Sequence, residues 1–192
     1  MRQLHLVRHG PTHARAMVGW TDLPADLSDT AALARLSAQL PAEAEVISSD
    51  LSRAITTADA IQGDRPRLPH DAALRELHFG DWEMRSAAEI EASHPELSRA
   101  YWDHPGSVRP PNGESWSDAS QRISRAIDTL LDRTPARPLI VVAHFGAILT
   151  QLQRALSVSA EDVLAHRIDN LSVTSLTRHA GGWQVEAINH IP

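Results

Sequence analysis

One apolar run, Leu139-Ile140-Val141-Val142-Ala143, constrains the fold of this chain more than any other segment. It is continuous, rich in β-branched residues and free of polar side chains, which is typical of a central parallel strand that is covered on both faces. Along the rest of the chain, strand-like and helix-like segments alternate. This alternation predicts an α/β fold, a three-layer sandwich in which helices cover both faces of a mostly parallel central sheet.

Short apolar runs that end in polar or glycine residues predict the other strands of the sheet. These runs are residues 4–8, Glu45–Ser48 and a third extended segment over 74–79. Two further segments, 172–177 and 183–188, flank Gly181-Gly182, a pair that favours a tight turn. We therefore expect a hairpin that forms an antiparallel edge of the sheet.

Apolar side chains that recur at helical spacing predict the helices around this sheet. They cover residues 30–40, 51–61, 116–133, 147–156 and 160–165. Asp29 is placed to begin the first helix, and Ser49 or Asp50 is placed to cap the second. The helices and strands together account for most of the chain outside one region.

That region is the segment 82–115, where the alternation breaks. Two short helical stretches, near residues 87–92 and 96–102, precede a part rich in proline and glycine. A chain of 192 residues is long enough to form one domain with a substantial core. We therefore expect a single domain over residues 1–192, with a lid-like helical insertion at about 82–115 that lies over the sheet.

Composition and charge argue against several classes of protein. The net charge is −6 and no basic cluster occurs, so binding to nucleic acid is not expected. No apolar run approaches the roughly 20 residues of a membrane span, and no secretory signal opens the chain. The absence of cysteine excludes disulfides and thiolate chemistry. The sequence is typical of a bacterial-type protein of the cytoplasm.

Eleven histidines suggest a metal site, but none has the His-Glu-x-x-His spacing of a zinc enzyme. Most are scattered, and each of these is better explained as a solvated or capping side chain than as a ligand. They are His70, His78, His94, His104, His166, His179 and His190. The sequence therefore predicts neither a metal ion nor any other cofactor.

Polar groups suited to phosphoryl chemistry follow the predicted strands. Arg8 ends the first strand and His9 follows it, and His144 follows the central strand. Arg53 lies one turn into the helix after the second strand, and Glu76 lies near the end of the third. Because ligands of open α/β sheets bind at the carboxyl ends of the strands, we expect these side chains to converge. Two guanidinium groups and two helix N-termini at one edge suit a phosphoryl dianion.

Each of these residues also has a purely structural explanation. Arg8 and Arg53 are compatible with surface ion pairs. His144 is compatible with a hydrogen-bonded core position, and Glu76 with a solvated carboxylate. The placement of all five groups at one edge of the sheet is the observation that favours a functional site.

The same segments resemble the histidine phosphatase superfamily, in its phosphoglycerate-mutase-like branch. Five motifs carry this resemblance in the family's order, over residues 4 to about 178. They are Leu6-Val7-Arg8-His9-Gly10-Pro11-Thr12; Ser48-Ser49-Asp50-Leu51-Ser52-Arg53-Ala54 with Thr57-Ala58; Leu74-Arg75-Glu76-Leu77 with Phe79-Gly80-Asp81-Trp82-Glu83; Gly113-Glu114-Ser115; and Val141-Val142-Ala143-His144-Phe145-Gly146.

The resemblance implies a role for each of the clustered side chains. His9 is expected to accept the phosphoryl group. Arg8, Arg53 and His144 are expected to bind that group and to stabilise its charge in the transition state. Glu76 is expected to protonate the leaving oxygen and then to activate water, which requires a raised pKa. No metal ion is needed for these steps.

The resemblance also places the rest of the substrate against a second set of residues. These are Thr12, Arg15, Gly19, Trp82 and Arg85. The chain departs from the family pattern at Pro11, Arg15, His78 and Met84, and its loop from His9 to Gly19 is shorter than in the mutases. All these departures lie around the non-phosphate part of the substrate, so they concern its identity and not the chemistry.

The sequence therefore predicts a metal-independent phosphomonoesterase that acts on a small phosphorylated metabolite through a phosphohistidine at His9. Among small bacterial members it is most similar to α-ribazole-phosphate phosphatases, which makes α-ribazole 5'-phosphate a candidate substrate. The alternatives are a phosphoglycerate mutase, which the short chain disfavours, and a phosphate-binding module without turnover. The expected state is a monomer or a homodimer that contacts neither nucleic acid nor membrane.

Overall fold

A computed structural model of the chain describes residues 1–133 and 137–192. The strands in this part are β1 (Arg2–Arg8), β2 (Glu45–Ser48), β3 (Leu139–Ala143), β4 (Val173–His179) and β5 (Gly182–His190). The helices are α1 (Thr30–Gln39), α2 (Ser52–Ile61), α3 (Ala87–Ser93), α4 (Pro95–Asp103), α5 (Trp116–Arg133), α6 (Phe145–Leu156) and α7 (Ala160–Leu164). None of these helices is long and apolar enough to cross a membrane.

The strands form one sheet in the order β2-β3-β1-β4-β5. β3 pairs in parallel with β1 and β2, and β4 pairs antiparallel with β1 and β5. Four strands therefore run in one direction and β4 runs against them. The mostly parallel sheet is confirmed, and so is the hairpin at its edge.

Alternate side chains of β3 enter two separate hydrophobic cores. Leu139 and Val141 pack with residues of α5 and α6, whereas Ile140 and Val142 pack with residues of α1 and α2. All four are fully buried, and burial of such a side chain stabilises a fold by about 1.5–3 kcal/mol. Because β3 is covered on both sides, the three-layer α/β architecture is confirmed.

The third predicted strand, over residues 74–79, is wrong. Ala72–Leu74 and Gly80–Trp82 form short 3-10 turns, and the residues between them join no strand of the described sheet. Side chains bond to the backbone of this segment instead. Trp20 and Arg122 donate to the carbonyl of Glu76. The carboxylates of Glu114 and Glu83 accept from the N–H groups of His78 and Phe79. A segment whose hydrogen bonds come from side chains needs no neighbouring strand.

The start of α2 also differs from the prediction. Asp29 caps α1 as expected, but the N-cap of α2 is Leu51, whose side chain makes no capping hydrogen bond; the carboxylate of Asp22 accepts from the first N–H of this helix, that of Ser52. The Ser49 hydroxyl is bonded to His144, and the Asp50 carboxylate forms an ion pair with Arg75. Both side chains that the local pattern assigned to the helix end therefore bind residues that are distant in the sequence.

The segment 82–115 contains α3 and α4 and has a small hydrophobic cluster formed by Trp82, Ile90 and Tyr101. Met17, in the loop after β1, joins this cluster and exchanges backbone hydrogen bonds with residues 84 and 85. The segment therefore packs against the loop that leaves the carboxyl end of β1. Its role as a lid stays a prediction.

Candidate active site

Three of the five predicted side chains lie at the carboxyl ends of β1 and β3. Arg8 is the last residue of β1, His9 follows it, and His144 follows β3. The parallel register pairs Arg8 with Ala143, and the imidazole rings of His9 and His144 lie 5.0 Å apart between their centroids. The pairing of two adjacent parallel strands thus brings the two histidines together.

His9 is held as a neutral ring in a defined orientation. Its Nδ1 lies 2.6 Å from the carbonyl oxygen of Gly10, so Nδ1 carries the proton and donates it to that oxygen. Burial lowers the pKa of His9 to about 3; the charges of Arg53 and Arg8 act in the same direction, against the hydrogen bond to Gly10. The ring is therefore neutral at pH 7, and the lone pair of Nε2 is available as a nucleophile.

Two guanidinium groups lie beside this ring, that of Arg53 buried and that of Arg8 half-buried. Arg53, in the first turn of α2, donates from Nη1 to the carbonyl of Thr21 at 2.9 Å and from Nη2 to that of Gly19 at 2.6 Å. Arg8 donates to the carbonyl of Ile168 at 2.5 Å, and its Nε has no partner among the described residues. A guanidinium has five N–H donors, so both arginines keep donors for a phosphoryl group.

His144 is fully buried, and a serine fixes its orientation. Its Nε2 lies 2.7 Å from the hydroxyl oxygen of Ser49, and its Nδ1 has no partner in the described part of the chain. Burial lowers the pKa of His144 well below its usual value, and the nearby His9 and arginine side chains lower it further. We assign the hydroxyl of Ser49 as donor to Nε2, which leaves the Nδ1 proton for a phosphoryl oxygen. No sequence pattern singled out Ser49 for this role.

Glu76 lies at the N-terminus of α6. Its Oε1 accepts from the N–H groups of Leu77 at 3.1 Å and Ala147 at 3.0 Å, and its Oε2 accepts from that of Gly146 at 3.0 Å. Burial raises the pKa of Glu76, against the opposing effects of these hydrogen bonds and of the two arginines. Because a bound phosphoryl dianion compensates the arginine charges, it favours the protonated carboxyl that a general acid requires.

Gly146 permits this close approach between helix and carboxylate. A Cβ atom at position 146 would lie 2.7 Å from Oε1 of Glu76 and 2.6 Å from a methyl carbon of Leu77. Real side chains do not approach so closely, so any larger residue displaces the carboxylate. Glu76 is thus the group that approaches the backbone of α6 at this glycine.

Two side chains hold the loop on which Glu76 is carried. Arg122 of α5 donates to three carbonyl oxygens within residues 73–76, at 2.8 to 3.2 Å, and forms two hydrogen bonds with the carboxylate of Glu114. The indole N–H of Trp20 donates to the carbonyl of Glu76 at 2.8 Å. Glu114 belongs to a family motif, whereas neither Arg122 nor Trp20 was indicated by the sequence.

Glu83 organises the loop that holds Arg53. Its carboxylate accepts from the N–H groups of Gly19, Trp20 and Thr21 at 3.0, 2.7 and 3.2 Å. It also accepts from the hydroxyl of Thr21 and from the backbone N–H of Phe79. Burial acts to raise the pKa of Glu83, but the donated hydrogen bonds outweigh it and lower the pKa. The carboxylate thus fixes the two carbonyl groups to which Arg53 donates.

We expect Glu83→Gln to reduce kcat/KM by about 10- to 100-fold, because a glutamine offers one acceptor where the loop presents several donors and a shift of about 1 Å in Arg53 is costly. Inhibition by inorganic phosphate should weaken in parallel, which separates a displaced guanidinium from a general loss of packing. Glu91→Gln, on the exposed face of α3, is the matched control and should change neither value. An unaltered phosphate inhibition constant in Glu83→Gln would contradict this positioning role.

An open cavity of about 240 Å³ connects these groups to solvent. Its lining consists of Arg8, His9, Thr12, Ala14, Ala16, Met17, Val18, Arg53, Glu76, Phe79, Trp102 and Phe145. His144 lies below this surface, fully buried. Within residues 1–133 and 137–192, no group of three or more His, Asp or Glu side chains is arranged to hold a metal ion.

The second set of predicted residues is only partly brought to this cavity. Thr12 lines it, whereas Arg15 is exposed and lies outside the lining. Gly19 is buried and acts through its carbonyl group, which receives Arg53. Trp82 is fully buried in the cluster of the 82–115 segment, and Arg85 donates to the backbone and a side chain of α3. Trp82 and Arg85 therefore make their contacts within the 82–115 segment and not at the cavity.

The fold and this cluster of groups define an enzyme of phosphoryl transfer. A model of the histidine phosphatase superfamily (branch 1) matches residues 4–191, and the chain belongs to this superfamily. Membership of this superfamily, together with relatives that are named as phosphatases, supports phosphatase activity. The resemblance that the motifs carried is thereby confirmed.

Three relatives show the range of functions within this similarity. A glucosyl-3-phosphoglycerate phosphatase of Mycolicibacterium vanbaalenii is 35% identical over 167 residues, 77% of this chain and 71% of that protein. The adenosylcobalamin/alpha-ribazole phosphatase of Escherichia coli is 33% identical over 129 residues, 65% and 62% of the two chains. A probable phosphoglycerate mutase of Serratia proteamaculans, GpmB, is 29% identical over 203 aligned positions, 100% and 94%.

The fold also matches that of a solved structure closely. Bacillus stearothermophilus YhfR superposes with a TM-score of 0.90 at 28% identity, over 100% of this chain and 98% of that one. A TM-score this high over the full length means that helices, sheet and insertion follow the same path. The five-stranded sheet and its helices thus form the histidine phosphatase fold.

Proposed function

We propose that the protein hydrolyses phosphomonoesters of small metabolites through a phosphohistidine on Nε2 of His9, without a metal ion. The observation that carries this proposal is the neutral His9 ring, oriented by the carbonyl of Gly10, beside the buried guanidinium group of Arg53 and the half-buried one of Arg8. A buried carboxyl with a raised pKa, on Glu76, completes the set of groups that ester cleavage requires.

In the first step, Nε2 of His9 attacks phosphorus, and the bond from phosphorus to the ester oxygen breaks as the new P–N bond forms. Glu76 gives its proton to the departing oxygen, so the alcohol leaves neutral. Arg8, Arg53 and the Nδ1 proton of His144 bind the three remaining oxygens. These donors are in place before the reaction, and they stabilise the charge that those oxygens carry in the transition state.

In the second step, the carboxylate of Glu76 takes a proton from water, and the water oxygen attacks phosphorus. The P–N bond breaks, inorganic phosphate is released, and both His9 and the protonated Glu76 are restored. The same carboxyl thus acts as acid and then as base, as microscopic reversibility requires. In total, one phosphate ester and one water molecule are consumed, and one alcohol and one inorganic phosphate are formed.

The names of the relatives support hydrolysis, because two of the three are phosphatases. The similarity to a probable phosphoglycerate mutase keeps intramolecular phosphoryl transfer as the second candidate function.

We also propose that the 82–115 segment is a lid that selects the substrate, since Trp102 of α4 lines the cavity. The candidate substrate α-ribazole 5'-phosphate, the monomeric or homodimeric state and the cytoplasmic location stay predictions.

The test is phosphate release from a panel of phosphomonoesters after exhaustive EDTA treatment. We expect turnover to survive the chelator, and vanadate and inorganic phosphate to inhibit it by occupying the cradle of Arg8, Arg53 and His144. A strict requirement for added Mg²⁺ or Zn²⁺ would contradict the metal-independent mechanism. Conversion of 3-phosphoglycerate to its 2-isomer without phosphate release would favour the mutase, and binding of phosphate esters without any turnover would favour the binding module.

A further inference from the structure

The catalytic cavity adjoins a second, smaller pocket of about 100 Å³. Glu76, Phe79, Trp102 and Phe145 line both spaces. The rest of the smaller pocket is formed by Leu77, Tyr101, Pro105, Trp116, Gly146 and Leu164. Apart from the carboxylate of Glu76, the side chains of this lining are apolar or aromatic. The pocket is therefore an apolar recess that opens beside the proton donor.

The position of Glu76 indicates which part of a substrate enters this recess. A general acid must lie within hydrogen-bonding reach of the oxygen that it protonates, so the ester oxygen sits beside this carboxyl. The phosphoryl group lies on the side of Arg8 and Arg53, in the larger cavity. The group attached to the other side of the ester oxygen is then directed toward the smaller pocket.

The lining of the pocket favours a ring over a polyhydroxylated chain. Five aromatic side chains border it: Phe79, Tyr101, Trp102, Trp116 and Phe145. The indole N–H of Trp116 is already bonded to Gln153 at 2.7 Å, so it does not serve a substrate hydroxyl. A polyhydroxylated chain placed here loses most of its hydrogen bonds to water, because the Tyr101 hydroxyl and the Trp102 indole N–H are the only other polar groups of the aromatic lining. An aromatic ring instead gains apolar burial and edge-to-face contacts.

The distribution of charge disfavours a second anionic group on the substrate. Of the described residues that line the two spaces, only Arg8 and Arg53 carry a positive charge at neutral pH. Both are committed to the phosphoryl group. The carboxylate of a phosphoglycerate would therefore enter a region with no cation of its own and with Glu76 nearby, which is unfavourable.

We propose that the recess is the leaving-group site, and that it takes one uncharged aromatic ring carried on the carbon next to the ester oxygen. This inference rests on the proposed phosphatase function and narrows its substrate class. An apolar cavity of roughly 150 Å³ is sufficient for benzene, and this pocket gains further room where it opens into the larger cavity. Arylmethyl phosphates thus rank above sugar phosphates, α-ribazole 5'-phosphate included, and above phosphoglycerates.

The test compares kcat/KM for benzyl phosphate, glycerol 1-phosphate and 3-phosphoglycerate on the unmodified protein. All three leave as alkyl alcohols, so differences report mainly how the leaving group is bound. We expect benzyl phosphate to be preferred by about 10- to 100-fold, the range for burying one aromatic side chain. Hydrolysis of benzyl and glycerol phosphates with equal kcat/KM would overturn this inference alone. Failure to hydrolyse any ester would instead overturn the proposed function.

A variant whose larger side chain fills the recess provides a second test of the leaving-group site. Leu164→Trp adds an indole at the end of α7, and we expect the preference for benzyl over glycerol phosphate to fall to about twofold or less. Inhibition by inorganic phosphate, measured in the same variant, shows that the phosphoryl site is intact. Leu156→Trp, at the exposed end of α6, is the matched control and should keep the full preference. An unchanged preference in Leu164→Trp, with phosphate inhibition retained, would contradict a leaving-group site here.

Discussion

Replacement of His9 by alanine should lower kcat by about 10⁴-fold or more and leave the fold intact. The ring supplies the only nucleophilic atom in the proposed sequence of steps, so its loss removes the covalent route and not merely a contact. His9 follows the last residue of β1, and the strand pairing on both sides of β1 does not use its side chain. Acid-quenched and base-quenched mixing with a ³²P-labelled ester should trap an acid-labile, base-stable phosphoenzyme in the unmodified protein and none in the variant.

His190→Ala is a suitable control for this experiment, because His190 lies at the end of β5 and is bonded to Gln39 on the surface. This control should keep full activity and full labelling. Thermal unfolding of both variants separates a chemical defect from a folding defect. Label on a serine, or a rapid burst of product with no labelled protein in the unmodified enzyme, would contradict a phosphohistidine at His9.

Glu76→Gln should slow phosphorylation by alkyl phosphates by about 10² to 10⁴-fold and phosphorylation by p-nitrophenyl phosphate far less. An alkoxide is a very poor leaving group and needs the proton, whereas p-nitrophenolate leaves without one. The measurement is single-turnover formation of the phosphoenzyme with both esters in the variant and the unmodified protein. The burst with p-nitrophenyl phosphate should persist, even though later attack by water is slow.

The comparison of two esters also controls for a structural side effect of this substitution. The two oxygens of Glu76 accept three backbone N–H groups, and a glutamine has one oxygen, so the N-terminus of α6 adjusts in the variant. Any such adjustment acts on both esters. Equal losses with the two would therefore show that Glu76 positions the phosphoryl group or supports α6, and the assignment as proton donor would fall.

The pH dependence of the same step provides an independent check. Phosphorylation by an alkyl ester requires the protonated carboxyl, so its rate falls as pH rises through the pKa of Glu76, which burial places above the usual range. The rate with p-nitrophenyl phosphate should change much less over that interval. In Glu76→Gln this descending limb should disappear for both esters. Protonation of His9 enters only at strongly acidic pH, because its pKa is lowered to about 3.

Local sequence determined the elements on which the site is built. The apolar run of β3 specifies a buried parallel strand, because only a strand covered on both faces accommodates such residues throughout. The shorter run of β1, residues 4–7, specifies a strand whose apolar side chains are buried. The side chains at the carboxyl ends of those strands, on Arg8, His9 and His144, were placed correctly for the same reason. Carboxyl ends of parallel strands meet at one edge of a sheet whatever the loops between them do.

Only the tertiary structure decided how the remaining groups reach that edge. The loop of Glu76 was mistaken for a strand, because its extended shape depends on Arg122 and Trp20, each more than 45 residues away. Ser49 was mistaken for a helix cap, because its partner His144 lies 95 residues along the chain. Trp82 was assigned to the substrate but is fully buried in the hydrophobic cluster of the 82–115 segment. A local pattern reports the backbone that a segment prefers, whereas the partner of a polar side chain is fixed only when distant segments pack together.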